Sequence, residues 1–175
     1  MIFFPSYKML NDVYDKVKEL GLIGDVDIIC QDARLSEQER EEFLSRFEER
    51  GKSVVGFVIL GGIFSEGIDL TGEHLIGAAV IGTGLPMVCN ENEIKMNYFT
   101  RRQGRGFEYA YLYPGMNKVL QAAGRVIRTM TDKGIILLLD ERFVTRQVVD
   151  TFPAEWADYE VVTLDTVTHR INDFW

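Results

Sequence analysis

The chain has 175 residues, of which 46% are hydrophobic and 26% charged, and its formal net charge is −8. This length suits one domain with a well-formed core, and the balance of residue types excludes a disordered chain. The acidic total argues against a stand-alone nucleic-acid-binding protein, because phosphate affinity depends mainly on Lys and Arg. No apolar run approaches the ~20 residues that span a bilayer, and no signal peptide opens the chain, so we expect a cytoplasmic protein without a membrane partner.

Short apolar runs alternate with amphipathic stretches along the chain. The predicted strands are residues 2–4, 26–30, 54–60, 78–81, 135–139 and 161–164. Two of them, 54–60 and 135–139, are continuously apolar, which is typical of strands covered on both faces in a parallel sheet. The alternation predicts an α/β domain of three layers with a mostly parallel central sheet of about six strands.

Helix signals separate these strands. Ser6 is a predicted N-cap of the first helix, and Ser36 with Glu39 forms a capping-box pattern that predicts the second. Further helices are predicted near residues 118–130, near 143–151 and at the C-terminus, with a weaker helical pattern around 93–100.

The two cysteines, Cys30 and Cys89, are far apart and form no C-x-x-C pair. Two buried thiols in a reducing cytosol are therefore expected in place of a disulfide or a metal site. His74 and His169 are isolated from each other and from the cysteines. We predict no metal site in this chain.

The sequence QAAGRVIR contains Gln121, Arg125 and Arg128. On a helix, at 100° per residue, Arg125 would lie about 40° and Arg128 about −20° from Gln121, so one stripe would present all three side chains. Two planar guanidinium groups on one stripe suit a phosphate group whose oxygens gain charge during a reaction. Taken alone, the same spacing also fits a solvated basic face.

A glycine-rich segment, GGIFSEGIDL at residues 61–70, directly follows the predicted strand 54–60. Open α/β sheets place ligands at the carboxyl ends of their strands, and glycines there allow a close backbone approach. Glu66 and Asp69 could accept hydrogen bonds from hydroxyl groups or arginines. Taken alone, a turn of glycines and acids fits many unrelated folds.

Together the two segments resemble motifs V and VI of superfamily 2 helicases, and they are similar to the XPD/DinG branch in particular. SEGIDL matches the S-E-G-I-D-[FL] of that branch, and QAAGRVIR is followed by its D-x-G and D-x-R-F patterns, which begin at Asp132 and Asp140. The opening FFPSY resembles motif IV of the branch, and Gly84 begins a similar G-L-P. The resemblance covers residues 2 to about 143.

The resemblance implies that residues 1–175 are a RecA-like C-terminal domain, the second motor domain of an ATP-dependent DNA helicase, within a longer polypeptide and with 5′→3′ polarity. It implies catalytic roles for Arg125 and Arg128 as arginine fingers and for Gln121 at the interdomain contact. It places Gly67, Asp69 and Glu66 at the nucleotide and interdomain cleft. The implied nucleic-acid contacts are Ser6, Tyr7 and Ser65.

Other parts of such an enzyme are absent from this sequence. A Walker A loop, GxxxxGK[ST], is missing, because Gly51-Lys52-Ser53 lacks the earlier glycine and precedes a strand. ATP and Mg²⁺ would therefore be shared with the first motor domain of the same polypeptide. An iron–sulfur cluster needs four cysteines and would belong only to that missing part. The expected partners are this first domain and DNA, as a single strand or forked duplex.

A basic and aromatic cluster surrounds Arg101 and Arg102. Its members are Lys95, Tyr98, Phe99, Arg101, Arg102, Arg105 and Phe107. The cluster fits a solvated loop and a contact with single-stranded DNA equally well, and Arg101 and Arg102 are the candidate DNA ligands. Arg142 is predicted to be an internal brace that pairs with an acid.

Two other functions compete with the helicase hypothesis. A degenerate helicase-like domain could act as a nucleic-acid or protein scaffold, although a scaffold has no need of the intact arginine pair. A free-standing nucleotide-binding protein or phosphotransferase would need its own phosphate loop at a helix N-terminus, and none is found.

Overall fold

The computed structural model describes residues 1–22, 24–49, 51–65, 70, 74–129 and 131–175. Within these residues five strands form a single sheet in the order β2-β3-β1-β4-β5, and every neighbouring pair is parallel. The strands are β1 (Ile2–Phe4), β2 (Asp27–Cys30), β3 (Val54–Ile59), β4 (Gly77–Ile81) and β5 (Ile135–Leu139). The predicted α/β class and parallel sheet are confirmed.

Helices connect the strands. The α-helices are α1 (Tyr7–Glu19), α2 (Glu37–Ser45), α3 (Asn90–Gln103), α4 (Tyr113–Ala123), α5 (Arg146–Val149) and α6 (Leu164–Phe174). A π-helical segment (Glu108–Leu112) leads into α4, and short 3₁₀ turns cover Glu141–Val144 and Ala154–Trp156. No helix in the described parts of the chain is both long enough and apolar enough to cross a membrane.

The predicted caps of the first two helices are confirmed. The Ser6 hydroxyl accepts a hydrogen bond from the backbone N–H of Met9, and Ser36 and Glu39 bond reciprocally at the start of α2. Each cap satisfies N–H groups that the first turn of a helix leaves without a backbone partner. Local sequence is therefore sufficient to start both helices.

The larger of the two cores lies on one face of the sheet. Phe3, Val58 and Val80 come from β1, β3 and β4, and they are fully buried. Phe43 of α2 and Met116 of α4 pack onto the same core. These helices therefore cover one face of the sheet.

The other face carries a smaller core, in which Phe4 and Phe57 pack against Leu10 of α1. The rings of Phe4 and Phe57 lie 5.0 Å apart between centroids. Adjacent residues of β1 thus point into different cores, as the two-residue period of a strand requires. The sheet lies between α1 on one side and α2 and α4 on the other, which gives the three layers of a RecA-like domain.

The predicted sixth strand, residues 161–164, is wrong. Residues 161–163 belong to no strand, Leu164 begins α6, and Val161 and Leu164 are 72% and 93% exposed. The side chain of Thr166 accepts a hydrogen bond from the backbone N–H of Thr163, 2.9 Å away, and this bond starts the helix. A local cap therefore overrides the β propensity of the Val-Val-Thr run.

The prediction that both cysteines are buried is also wrong. Cys30 is half-buried at the end of β2, and burial raises the pKa of its thiol to about 11. Cys89 is exposed just before α3. Both thiols are free, and they lie on different elements.

Candidate functional site

All five strands run in one direction, so the loops that follow them meet at one edge of the sheet, which we call the carboxyl edge. The segments that follow the strands there begin at Pro5, Gln31, Leu60, Gly82 and Asp140. Ligands of open α/β sheets bind at this edge. The sheet therefore gathers the motif-like segments of the sequence on one side of the molecule.

The turn after β3 is held closed by Ser65. Its hydroxyl accepts a hydrogen bond from the Gly61 N–H at 2.9 Å and lies 3.3 Å from the Ile59 carbonyl oxygen. Gly61 has φ of +72°, which a residue with a side chain adopts only with strain. Ser65 is fully buried. The hydroxyl of Ser65 is therefore inside the turn and shapes the loop, and the expected contact of this residue with nucleic acid stays a prediction.

Three candidate residues of the same loop, Glu66, Gly67 and Asp69, lie outside the residues that the structure describes. Their expected place at the nucleotide and interdomain cleft stays a prediction. The described residues on either side, Ser65 and Leu70, are both buried.

The arginine segment, residues 121–132, does not continue α4 as predicted. The helix ends at Ala123 with Gly124 as its C-cap, so Arg125 lies in a turn and Arg128 beyond it. The single helical stripe of Gln121, Arg125 and Arg128 is therefore wrong. Gly124 has a low helix propensity, and the residues that follow it find partners outside the helix.

One of these partners is Asp132. Its carboxylate accepts hydrogen bonds from the backbone N–H groups of Arg128 and Thr129, both at 2.8 Å, and from the Thr129 hydroxyl. In a continued helix, the Arg128 N–H would bond to the carbonyl of Gly124 instead. These hydrogen bonds lower the pKa of Asp132. The D-x-G pattern thus turns the chain directly after the arginines.

The second reason that the helix does not continue is the packing of Val126 in the protein interior. Val126 is 3% exposed, and a Cβ placed on Gly134 would lie only 2.3 Å from its Cγ1 atom. Gly134 therefore leaves the space into which Val126 packs. Burial of Val126 orients the residues on either side of it toward the surface.

The two candidate segments meet through Arg125. Its Nε donates a hydrogen bond to the backbone carbonyl of Ser65 at 3.1 Å, across 60 residues of sequence. Arg125 and Arg128 are both half-buried, whereas Gln121 is exposed on the last turn of α4. The structure therefore brings the arginine segment against the turn after β3, although Gln121, Arg125 and Arg128 do not share one face of a helix.

A polar network lies at the carboxyl ends of β1 and β2. The Tyr7 hydroxyl accepts a hydrogen bond from the Gln31 amide at 3.0 Å, and the Gln31 carbonyl accepts one from the Ile59 N–H at 2.8 Å. Gln31 is 6% exposed, while Ser6 is exposed and Tyr7 half-buried. Gln31 is not among the residues predicted from the sequence to belong to the site. Its position directly after a predicted strand was the available signal.

The predicted pairing of Arg142 with an acid is confirmed. Its Nε and Nη2 atoms donate to the two carboxylate oxygens of Asp140 at 2.8 and 2.7 Å. This pairing lowers the pKa of Asp140 and raises that of Arg142. The Arg142 side chain is 49% exposed, so it braces the loop after β5 at the surface and not in the interior.

The basic and aromatic cluster forms the surface of α3 and of the π-helical segment. Arg101 and Arg102 are exposed, and the guanidinium of Arg102 lies over the Tyr98 ring. The Phe99 and Tyr109 rings stack at 4.5 Å with an angle of 18° between their planes. The inner rings thus join α3 to the next segment, and the outer basic groups face solvent.

No cluster of three or more His, Cys, Asp or Glu side chains suited to a metal ion occurs in the parts of the chain that the structure describes. Within the described residues, the carboxyl edge carries guanidinium, amide and hydroxyl groups together with the carboxylates of Asp32 and Asp140, and Arg142 binds the second of these.

This arrangement agrees with comparisons to known proteins. The model of the helicase C-terminal domain family matches residues 1–159, and the chain belongs to this family. The predicted resemblance to a C-terminal motor domain of an XPD/DinG-like superfamily 2 helicase is thereby confirmed.

Two relatives illustrate the match. The regulator of telomere elongation helicase 1 homolog of Drosophila yakuba is 32% identical over 157 residues, which cover 82% of this chain and 16% of the relative. The ATP-dependent DNA helicase chl-1 of Caenorhabditis elegans is 30% identical over 161 residues, covering 87% of this chain and 19% of the relative. This chain therefore spans less than a fifth of either relative.

The fold agrees with solved structures as well. A structure of an XPD helicase superposes with a TM-score of 0.64 at 21% identity, covering 86% of this chain and 26% of that one. This match shows that the two domains share a fold.

Proposed function

We propose that this chain is the second motor domain of an ATP-dependent DNA helicase of the XPD/DinG type, which unwinds DNA in the 5′→3′ direction. ATP, the substrate, would be bound with Mg²⁺ on the first motor domain of the same polypeptide. This chain would supply Arg125 and Arg128 to the γ-phosphate when the two domains close. Alone it would not hydrolyse ATP, because it has no Walker A loop.

The observation that carries the proposal is the hydrogen bond from Arg125 to the Ser65 carbonyl. It fixes the arginine segment against the glycine-rich turn at the carboxyl edge, where both arginines are half-buried. A guanidinium held in a fixed orientation stabilises charge that develops on phosphate oxygens without having to reorganise during the reaction. Asp132 holds the backbone of Arg128 by accepting a hydrogen bond from its N–H.

Contacts with DNA would come from a different part of the carboxyl edge and from α3. Ser6 is exposed at the start of α1, and Tyr7 is held by Gln31 beside it. Arg101 and Arg102 face solvent on α3 and could attract the phosphate backbone. With a net charge of −8, binding by this chain alone should be weak and strongly salt-dependent.

The test is DNA-stimulated ATP hydrolysis by the complete protein. Arginine fingers contribute roughly 10³–10⁵ in rate, so Arg125→Ala or Arg128→Ala should remove most turnover and all unwinding, with less effect on nucleotide binding. Lysine at either position should rescue poorly, because a point charge cannot reproduce the planar fork. The double variant should be little worse than the worse single one.

Thermal melts of the same preparations separate a catalytic role from a structural one. Both variants should remain folded, and Arg125→Ala should melt somewhat lower than the wild type, since it loses the bond to Ser65. Near-normal turnover in both single variants would exclude arginine fingers and favour the degenerate scaffold. A collapse of both melting temperatures would show that the arginines are structural.

A further inference from the structure

A groove lies beside β5, the last strand of the sheet, which pairs only with β4 among the residues that the structure describes. The groove contains a cavity of about 610 Å³. One wall is β5 from Ile136 to Leu139, and another is the segment from Tyr159 to Leu164. The family model matches residues 1–159, so this second wall lies almost entirely beyond the matched part of the chain. The family match therefore does not account for this feature, which we call the β5 groove.

The outer edge of β5 carries backbone groups without a strand to pair with. The Ile135 N–H and the Leu139 carbonyl bond to the residues directly before and after β4, at 3.0 and 3.3 Å. Because backbone groups alternate in direction along a strand, the N–H and carbonyl groups of Ile136 and Leu138 point away from β4. No strand within the described residues pairs with them. These four groups are matched by the backbone of another extended segment.

This edge lacks the features that usually protect an edge strand. Natural edge strands carry Lys, Pro or a bulge, which prevents pairing with another chain. The sequence of β5 is IILLL, and it pairs with β4 in regular register over its whole length. Leu139 on one wall and Val161 on the other are 50% and 72% exposed. An exposed apolar edge of this kind is typical of a site to which an extended peptide adds as a further strand.

The charges of the β5 groove favour a basic peptide. Three carboxylates line it, those of Asp140, Glu141 and Glu160, and no Lys or Arg side chain does. Arg142 binds Asp140, and the Nε atom of Arg170 lies 3.1 Å from Glu160. Within the described residues Glu141 has no cation at ion-pair distance. A lysine or arginine of the peptide would compensate Glu141, whereas a second copy of this chain would bring a net charge of −8.

We propose that the β5 groove binds an extended peptide segment of a partner protein, which pairs with the outer edge of β5 as a further strand. This segment is apolar where it faces the cavity and carries a lysine or arginine beside Glu141. The backbone groups of Ile136 and Leu138 provide affinity, and the apolar cavity and Glu141 provide specificity. The inference does not depend on the proposed function, because no residue of the arginine segment takes part.

The first test is fluorescence anisotropy of a fluorescein-labelled peptide of seven residues, in which valine and threonine alternate between two terminal lysines. Binding to the 175-residue chain should saturate below about 1 mM protein. Leu139→Lys should weaken it about tenfold, because lysine on an edge strand opposes pairing and repels the basic peptide. The matched control is Leu20→Lys at the end of α1, where the side chain is 56% exposed, and binding should be unchanged.

Amide hydrogen exchange, followed by NMR, tests whether the peptide occupies the edge of β5. The N–H groups of Ile136 and Leu138 should exchange rapidly in the free chain and become protected when the peptide binds. The N–H of Leu137 points toward β4 and should be protected in both states, so it is an internal control. If the peptide binds without protecting Ile136 and Leu138, it lies elsewhere and the proposal is overturned.

Glu141→Gln tests the charge of the groove. This variant should bind the peptide about threefold more weakly, because a single exposed ion pair contributes little. Glu48→Gln removes the same charge from an exposed residue between α2 and β3 and should leave binding unchanged. Equal weakening by both variants would mean that net charge alone attracts the peptide, which would overturn the role of Glu141.

Two other occupants of the edge give different results. If a second copy of the chain pairs with β5, sedimentation velocity will show a dimer that Leu139→Lys dissociates. If residues 161–164 close the edge themselves, the N–H groups of Ile136 and Leu138 will be protected in the free monomer. Either result overturns the proposal, and so does the absence of saturable peptide binding by the folded chain.

Discussion

The arginine segment and the surface of α3 both present two arginines, but they hold them differently. Arg125 is bonded to the turn after β3, and the backbone of Arg128 is bonded to Asp132. Arg101 and Arg102 stand on a helix without a buried residue, and both face solvent. The fold thus holds the Arg125 side chain and the Arg128 backbone, whereas the second pair lies on the solvent side of α3.

This difference suits two kinds of chemistry. A group that stabilises charge in a transition state must already be in place, since a misplacement of about 1 Å can cost a hundredfold in rate. A group that attracts a phosphate backbone needs charge more than position, and screening by salt limits its effect. Substitutions in the two regions should therefore change different measured quantities.

Apart from the loss of turnover expected for the Arg125 and Arg128 variants, the largest effect is expected where α3 joins the π-helical segment. A Cβ on Gly106 would lie 2.0 Å from the Thr100 hydroxyl and 2.2 Å from the Met96 carbonyl oxygen. Since a backbone carbonyl cannot move alone, Gly106→Ala should lower the free energy of unfolding by about 3 kcal/mol, the upper end for overpacking. Urea denaturation measures this change.

Gly77→Ala is the matched control, because a Cβ on Gly77 would meet only the Ile135 carbonyl oxygen, at an ordinary 3.7 Å. Equal stability of the two variants would mean that α3 is not attached as tightly as its contacts indicate. In that case, α3 would be more mobile than the present comparison with the arginine segment assumes.

A smaller effect, about tenfold in kcat, is expected for Asp132→Ala in the complete protein. Without the carboxylate, the backbone of Arg128 is no longer held, and part of the positional advantage is lost. DNA-stimulated ATP hydrolysis measures the change. Asp25→Ala, at an exposed residue, is the control and should leave kcat unchanged. Turnover unchanged by Asp132→Ala would show that Arg128 does not depend on this turn.

The contribution of the ionised Asp132 carboxylate to stability should be fully present at neutral pH. Hydrogen bonds lower its pKa below the ordinary value of 3.8, so its contribution to stability is present above that value. It is lost only as pH falls through the lower pKa of the folded state. Assays near pH 7 therefore compare fully ionised Asp132 with its replacement.

The smallest effect is expected on α3 itself. Replacing Arg101 and Arg102 together by Gln should raise the Kd for oligothymidylate about threefold at 50 mM salt, because exposed charges contribute little individually. Fluorescence titration measures it. Lys52→Gln with Arg170→Gln removes the same total charge elsewhere. A loss equal to that of this control would mean that only net charge matters and that α3 is an ordinary solvated surface.

Local sequence was sufficient to predict much of this fold. The caps at Ser6 and Ser36 use side chains within three residues, and the continuous apolar runs at 54–60 and 135–139 form strands buried in a parallel sheet. The motif-like segments also fall at strand ends, where the pattern predicted them. These features depend on neighbours along the chain, which a sequence displays directly.

Predictions failed where packing or a competing hydrogen bond decided. Helix α4 ends at Ala123 because Val126 packs beside Gly134 and Asp132 takes the N–H of Arg128. The helical period of QAAGRVIR gives no sign of these partners. The predicted strand 161–164 failed likewise, since a strand needs a neighbour that pairs with it, and the cap of α6 was closer.

The sequence by itself determined the fold class, five of the six predicted strands and the family to which its motifs belong. Only the tertiary structure decided that Arg125 meets the Ser65 carbonyl and that Tyr7, Gln31 and Ile59 meet at one edge of the sheet. The physical reason is that parallel strands bring together loops that are 20 to 60 residues apart, and side chains in those loops acquire their partners only when the sheet forms.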